Sequence, residues 1–181
     1  VKRPDPAAIR PVPRILGIDP GSTITGFSVI EGGATPSLCV IDCIRLPRID
    51  FPARLGLIFE RLTEIIIEYQ PDQMAIENVF VSRNAASALK LGQARGAAIC
   101  AAAARHIPVS EYTPTQVKQA IVGRGHADKQ QVQHMVGMLL GIAGPLQADA
   151  ADAAGVAICH AHHARTASRM RVAVTTTGRR A

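Results

Sequence analysis

Arg14-Ile-Leu-Gly-Ile-Asp-Pro-Gly-Ser22 is the stretch on which the fold turns. Ile15 to Ile18 form an apolar run, and Asp19-Pro20-Gly21 ends it in turn chemistry. That pattern predicts a buried strand that stops on an acid. Working outward, Thr25 to Glu31 carries Phe27, Val29 and Ile30 and predicts a second strand, followed by a Gly32-Gly33 hairpin turn. Leu38 to Leu46 predicts a third. Strands joined by tight turns make an antiparallel meander.

The period then changes. Leu55, Ile58, Phe59, Leu62, Ile65 and Ile66 recur at helical spacing across residues 53–69, and Pro71 stops that helix. Met74-Ala-Ile-Glu-Asn-Val-Phe80 predicts a fourth strand with Glu77 in its interior. Asn84 fits the N-cap of an Ala-rich helix over residues 85–105. Val109 to Tyr112 predicts a fifth strand. Thr113-Pro114 opens another helix, with proline suitably early in it. After a Gly123-Arg-Gly-His-Ala127 loop, Asp128 caps a helix running to Leu140. Gly144-Pro145 breaks it, and residues 147–164 predict a last helix.

A strand–helix–strand–helix–strand run behind the meander implies parallel pairing. The expected fold is therefore α/β, a mixed sheet with helices on both faces. Residues 1–13 read as a flexible Pro-rich arm, 14–164 as one domain, and 165–181 as a basic disordered tail. No internal repeat is found.

Composition narrows the function. Hydrophobic residues make up 48% of the 181, enough for a packed core and against wholesale disorder. Aromatic residues are 3%, so Ala, Val, Ile and Leu must build that core. The net charge of +6 favours an anionic partner, nucleic acid or an anionic surface. Cys39 and Cys43 lie four apart on a predicted strand, sharing a face; no second close pair completes a zinc site with them. The start has no apolar signal region, and no apolar run is long enough to span a bilayer. A cytoplasmic location without membrane contact is expected.

Four acids stand out. Asp19 ends the first strand, Glu77 lies among Ala75, Ile76, Val79 and Phe80, and Asp149 and Asp152 sit near the start of an apolar helix. Residues three apart share a helical face. A charge among apolar neighbours is costly unless paired or bound to metal, and none of these acids has a matching Lys or Arg beside it. Asp-Pro-Gly is also ordinary turn chemistry, and Asp149 and Asp152 also suit a helix N-terminus. For Glu77 the ordinary structural alternative is weakest, because Glu is depleted in strands. Carboxylates without His or Cys at ligand spacing favour Mg²⁺ or Mn²⁺. Two such ions about 3.5–4 Å apart can clamp an in-line phosphoryl displacement, one activating water and the other stabilising the leaving 3′ oxygen.

Residues 14–164 resemble the RuvC crossover-junction endodeoxyribonucleases. The matching stretches are Leu16-Gly-Ile-Asp-Pro-Gly-Ser22, Thr25-Gly26, Ala75-Ile-Glu-Asn-Val-Phe80, Asn84 to Gly96, Gln116-Val-Lys-Gln119, Gln131-Val-Gln-His-Met135 and Gln147-Ala-Asp-Ala-Ala-Asp-Ala153. The resemblance implies a ribonuclease H-like fold with a five-stranded mixed sheet. It implies that Asp19, Glu77, Asp149 and Asp152 are catalytic metal ligands. It further implies a homodimer that resolves Holliday junctions by paired symmetric nicks in recombination and repair. RuvA and RuvB branch-migration proteins are the implied partners.

Other positions carry weaker expectations. The family places an aromatic against an unpaired base, which points to Phe80, and base stacking contributes about 1–3 kcal/mol. Lys118 and Lys129 match lysines that hold the DNA backbone, and ammonium point charges suit phosphate. Arg83, Arg95 and Arg124 read as surface or DNA charges. Gly92, Gly96 and Ala97 lie on the small-residue helix that the resemblance assigns to the dimer interface, although the same side chains suit packing on their own sheet. His160, His162 and His163 fall where the last helix is expected to end, a place that favours partial positive charge more than a metal cluster. Two rivals remain. An actin-like ATPase or sugar kinase also opens on Gly-x-Asp-x-Gly but needs two such domains. A non-catalytic junction-binding module would have lost one of the acids.

Overall fold

The structure, a computed structural model, describes residues 12–78 and 84–177, with side chains as far as Ala167. Its strands are β1 (Arg14–Asp19), β2 (Ile24–Glu31), β3 (Ser37–Arg45), β4 (Gln73–Glu77) and β5 (Val109–Tyr112). They form one sheet in the order β3-β2-β1-β4-β5. β1, β2 and β3 pair antiparallel, and β1, β4 and β5 pair parallel. The helices are α1 (Phe51–Tyr69), α2 (Ala85–Ala103), α3 (Pro114–Val122), α4 (Lys129–Leu140) and α5 (Ala148–Thr177).

Strand alternation sorts the core into two layers. Leu16, Ile18, Phe27, Val29, Met74 and Ile76 face α1 and α2, meeting Ile58, Leu62, Ile66, Ala94 and Ala98. Ile15, Ile30 and Ala75 face the other way, toward α5 with α3 and α4 outside it. Helices on both faces of a mixed sheet are the expected architecture.

Capping follows the sequence closely. The Asn84 side chain accepts from Ala86 and Ser87 N–H at 3.0 and 3.2 Å. Thr113 with Gln116, and Asp128 with Gln131, form reciprocal capping boxes that start α3 and α4. Gly123 and Gly141 end those helices in the left-handed conformation, where glycine carries no steric cost.

Three expectations are corrected. β4 ends at Glu77 with Asn78 already outside the strand, and the Val79 and Phe80 end of the expected strand lies outside the described residues. Cys39 and Cys43 do not share a face. A β-bulge shifts the register so that Val29 pairs with Val40 but Ile30 with Leu38, leaving Cys39 as the extra residue. Cys43 then faces Asp149 and Ala150, whereas Cys39 acts on Tyr69 of α1. Last, α5 runs on through residues 165–177 as helix, although a tail without structure is expected from Arg165. No proline interrupts that stretch, and Ala, Arg and Met are good helix formers. His160, His162 and His163 are therefore mid-helix and not at a C-terminus.

Candidate active site

β1 leaves the sheet centre toward β2, and β4 leaves it toward β5. The carboxyl ends of adjacent strands whose connections diverge form a crevice, the usual place for a site in an open α/β sheet. Asp19 is the last residue of β1 and Glu77 the last of β4. In parallel register Gly17 pairs with Ala75, which puts Asp19 and Glu77 on the same face.

Two glycines and a threonine complete the arrangement. Thr25, fully buried, donates its hydroxyl to Gly21 O at 3.0 Å and accepts from Gly21 N–H at 3.3 Å, closing the turn after Asp19. Gly26 pairs with Asp19 across the hairpin. A Cβ at Gly26 would run into the Asp149 backbone carbonyl, and one at Gly17 would run into the Ala153 carbonyl and the Ala157 methyl. α5 thus lies on the sheet at a distance only glycine allows, and its first turns bring Asp149 and Asp152 over Asp19.

The electrostatics record this crowding. Burial, then Glu77, Asp152 and Asp149 in that order, push the Asp19 carboxyl up to about 8. Burial and Asp152 also raise Glu77, while a hydrogen bond with Asp19 pulls it the other way. Four carboxylates whose burial and mutual repulsion raise Asp19 and Glu77 form a donor set short of positive charge, which fits a hard divalent cation. Among the described residues, no three His, Cys, Asp or Glu side chains close round a single point.

One cation already stands in the cluster. Lys129 Nζ is 2.7 Å from Asp152 Oδ2, and that hydrogen bond raises its ammonium above the ordinary lysine range. This corrects the expectation that none of the acids has a basic neighbour. Lys129 is remote in sequence, on α4, where the Asp128 cap fixes the helix start immediately before it. A cavity of about 170 Å³ is lined by Glu77, Asp152, Lys118, Lys129, Pro114, Val117 and Val132. Both expected lysines therefore face the acids.

The other expected positions scatter. Phe80 and Arg83 lie outside the described residues. Arg124 is exposed on the loop after α3. Arg95 is engaged 2.7 Å from Glu111, tying α2 to β5. Gly92 and Gly96 open onto space with nothing within 4 Å of a Cβ, whereas Ala97 packs on the α1–α2 core layer. Among the described residues no helix is long and apolar enough to cross a membrane.

Sequence reading missed the support behind the acids. Tyr112, His160 and Gln73 form a buried hydrogen-bonded chain between β5, α5 and β4. A glutamine opening a buried strand and a histidine inside an alanine helix were the available signals.

A sheet of this order, with acids ending its two central strands and two more on a helix laid across them, defines a ribonuclease H-like nuclease. The profile of the crossover junction endodeoxyribonuclease RuvC family matches residues 15–160. This chain belongs to the RuvC family of crossover junction endodeoxyribonucleases. It is 58% identical over 157 residues to the RuvC of Methylococcus capsulatus, covering 87% of this chain and 95% of that protein. The RuvC of Alkalilimnicola ehrlichii is 52% identical over 161 residues, covering 88% and 98%. Among solved structures, a Thermus thermophilus RuvC in complex with a Holliday junction substrate superposes with a TM-score of 0.81 at 36% identity, covering 86% of this chain and 96% of that one.

Proposed function

We propose that this chain resolves four-way DNA junctions as a homodimer, each protomer cutting one of two opposed strands at a site built from Asp19, Glu77, Asp149 and Asp152. The observation that carries the reading is the meeting of these acids from β1, β4 and α5, with Asp19 pushed up to about 8 by burial and its neighbours. The same acids would hold divalent ions, Mg²⁺ or in its place Mn²⁺. When bound, two such ions would supply activation of a water and neutralisation of charge at the leaving 3′ oxygen. The protein's own part is positional. Asp19 and Glu77 are held by the sheet, and Asp149 and Asp152 by α5. Lys118 and Lys129 offer ammonium charges to the DNA backbone from the rim of the same cavity. Phe80, Arg83 and Arg124 are further candidates for DNA contact.

Gly92, exposed, and Gly96, half-buried, with room at each for a Cβ, suit the close approach of a second copy, with Ala97 beside them. The junction is the substrate in this reading, RuvA and RuvB are the partners that would present it, and the cytoplasm is the place of action. Cleavage of a synthetic mobile four-way junction, compared with linear duplex of the same sequence, tests the reading. Paired nicks on opposed strands are expected with Mg²⁺ and not with EDTA. Asp19→Asn should abolish cutting and leave junction binding intact, since it removes an acid and no DNA contact. Normal cutting by that variant would overturn the four-carboxylate site.

A further inference from the structure

Two of the four acids depend on where α5 comes to rest along the sheet, and the contact surface near them is smooth. α5 brings Ala150, Ala153 and Ala157, and the sheet answers with Gly17, Gly26 and Ala75. Apolar contact is non-directional. A methyl group over a glycine fixes the height of the helix above the sheet but holds its axial position and rotation weakly.

Directional contact between α5 and the strands β4 and β5 comes from His160, which is 7% exposed. Its Nδ1 lies 2.8 Å from the Tyr112 hydroxyl and its Nε2 lies 2.8 Å from Gln73 Oε1. A carbonyl oxygen can only accept, so Nε2 carries the proton and Nδ1 accepts from the tyrosine hydroxyl. Burial and the neighbouring His163 lower the imidazole below its ordinary range, in keeping with that neutral tautomer. Cys159 and Cys43 are thiols raised by burial, and Arg165 donates to the Ala34 carbonyl. The His163 ring rests on Tyr112 at 5.3 Å and steadies its plane.

The three residues sit where they can transmit position. Gln73 opens β4 and Glu77 closes it on the same face. Tyr112 pairs with Glu77 in register, and its carbonyl accepts from Asn78 N–H at 2.7 Å. His160 follows Asp152 by about two turns, roughly 12 Å along one continuous helix. A slip of α5 at His160 is therefore a slip of Asp149 and Asp152 by the same amount.

We propose that the Gln73–His160–Tyr112 chain is a positioning clamp for the nuclease, setting the axial register of α5 against β4 and β5 and so the separation of Asp149 and Asp152 from Glu77. The proposal rests on the carboxylate reading above.

The test compares Tyr112→Phe, which removes the hydroxyl that bonds His160 and Ser110, and Gln73→Leu, which removes the acceptor for Nε2–H, both keeping the bulk, with Gln73→Glu, which keeps that acceptor. Val156→Ala, a buried change in the same helix, serves as the stability control. Two quantities are read on the full chain: turnover on a four-way junction, and Mn²⁺ affinity by electron paramagnetic resonance without DNA. Misplacement by about 1 Å costs up to about 100-fold in rate. Tyr112→Phe and Gln73→Leu should therefore lose about 10- to 100-fold in kcat and bind Mn²⁺ more weakly, with junction affinity unchanged. Gln73→Glu should restore both, and Val156→Ala should lose thermal stability only. Wild-type turnover and Mn²⁺ affinity in Tyr112→Phe and Gln73→Leu would overturn the clamp. So would an equal kcat deficit in Val156→Ala, which would reduce the chain to ordinary packing. A wild-type chain that cuts no junction would break the functional reading instead, and the Mn²⁺ titration would still decide the clamp.

Discussion

The two faces of the sheet are built on opposite principles. Toward α1 and α2, the sheet offers Leu16, Ile18, Phe27, Val29, Met74 and Ile76, which interlock with Ile58, Leu62 and Ile66. Burying each such side chain stabilises the fold by about 1.5–3 kcal/mol. Toward α5 the large residues Ile15 and Ile30 lie at the end away from the acids. Near the acids the sheet has Gly17, Gly26 and Ala75. There the small side chains give up burial energy and gain closeness. The contrast teaches that stability and the placement of the acids are assigned to different sides of the same five strands.

That division can be broken from either side. Leu62→Ala empties a fully packed position on the α1 face and should destabilise the protein by about 2–5 kcal/mol, read by urea unfolding. The kcat of the molecules that remain folded should not change; a matching fall in kcat would show that the faces are not separable. Gly26→Ala sets a methyl against the Asp149 carbonyl and must lift the start of α5. Turnover on a junction should drop about 100-fold, equivalent to about 2.7 kcal/mol of barrier, with a stability loss of only about 1–3 kcal/mol. Normal turnover would mean that the close approach does not place Asp149.

The smallest effect is with pH. Asp19 is raised to about 8 from an ordinary 3.8, so the folded protein holds its proton more tightly than the unfolded chain does. This stabilisation is complete below pH 3.8 and is lost as pH rises toward 8. Between pH 7 and 8.5, above the range in which His160 titrates, the melting temperature in EDTA should fall with pH. The slope should flatten in Asp19→Asn and on adding Mg²⁺. An unchanged slope in Asp19→Asn would place the titrating group elsewhere.

Much of this was legible from residues close together in the chain. Asp19 was visible because an acid ended an apolar strand, and Glu77 because strands rarely hold Glu. Asp149 and Asp152 were visible because helical spacing alone puts them on one face. The caps at Asn84, Thr113 and Asp128 were visible because capping is local chemistry. What stayed hidden depends on tertiary placement. Lys129 meets Asp152 only because α4 packs beside α5. The bulge at Cys39 is a register event between strands, and no single-strand pattern encodes it. The continuation of α5 past Arg165 was missed because apolar periodicity reports burial and not helix formation itself.

Gly17 and Gly26 carry a consequence for how such a chain is recognised. Each stands at a place where any side chain larger than a hydrogen atom meets the α5 backbone, so that the helix would have to move away. The Gly-Ile-Asp-Pro-Gly and Thr-Gly strings therefore store two kinds of information at once. The aspartate sets an acid at the end of the strand. The glycines specify how near a distant helix is permitted to come, and they write a three-dimensional distance into the linear text.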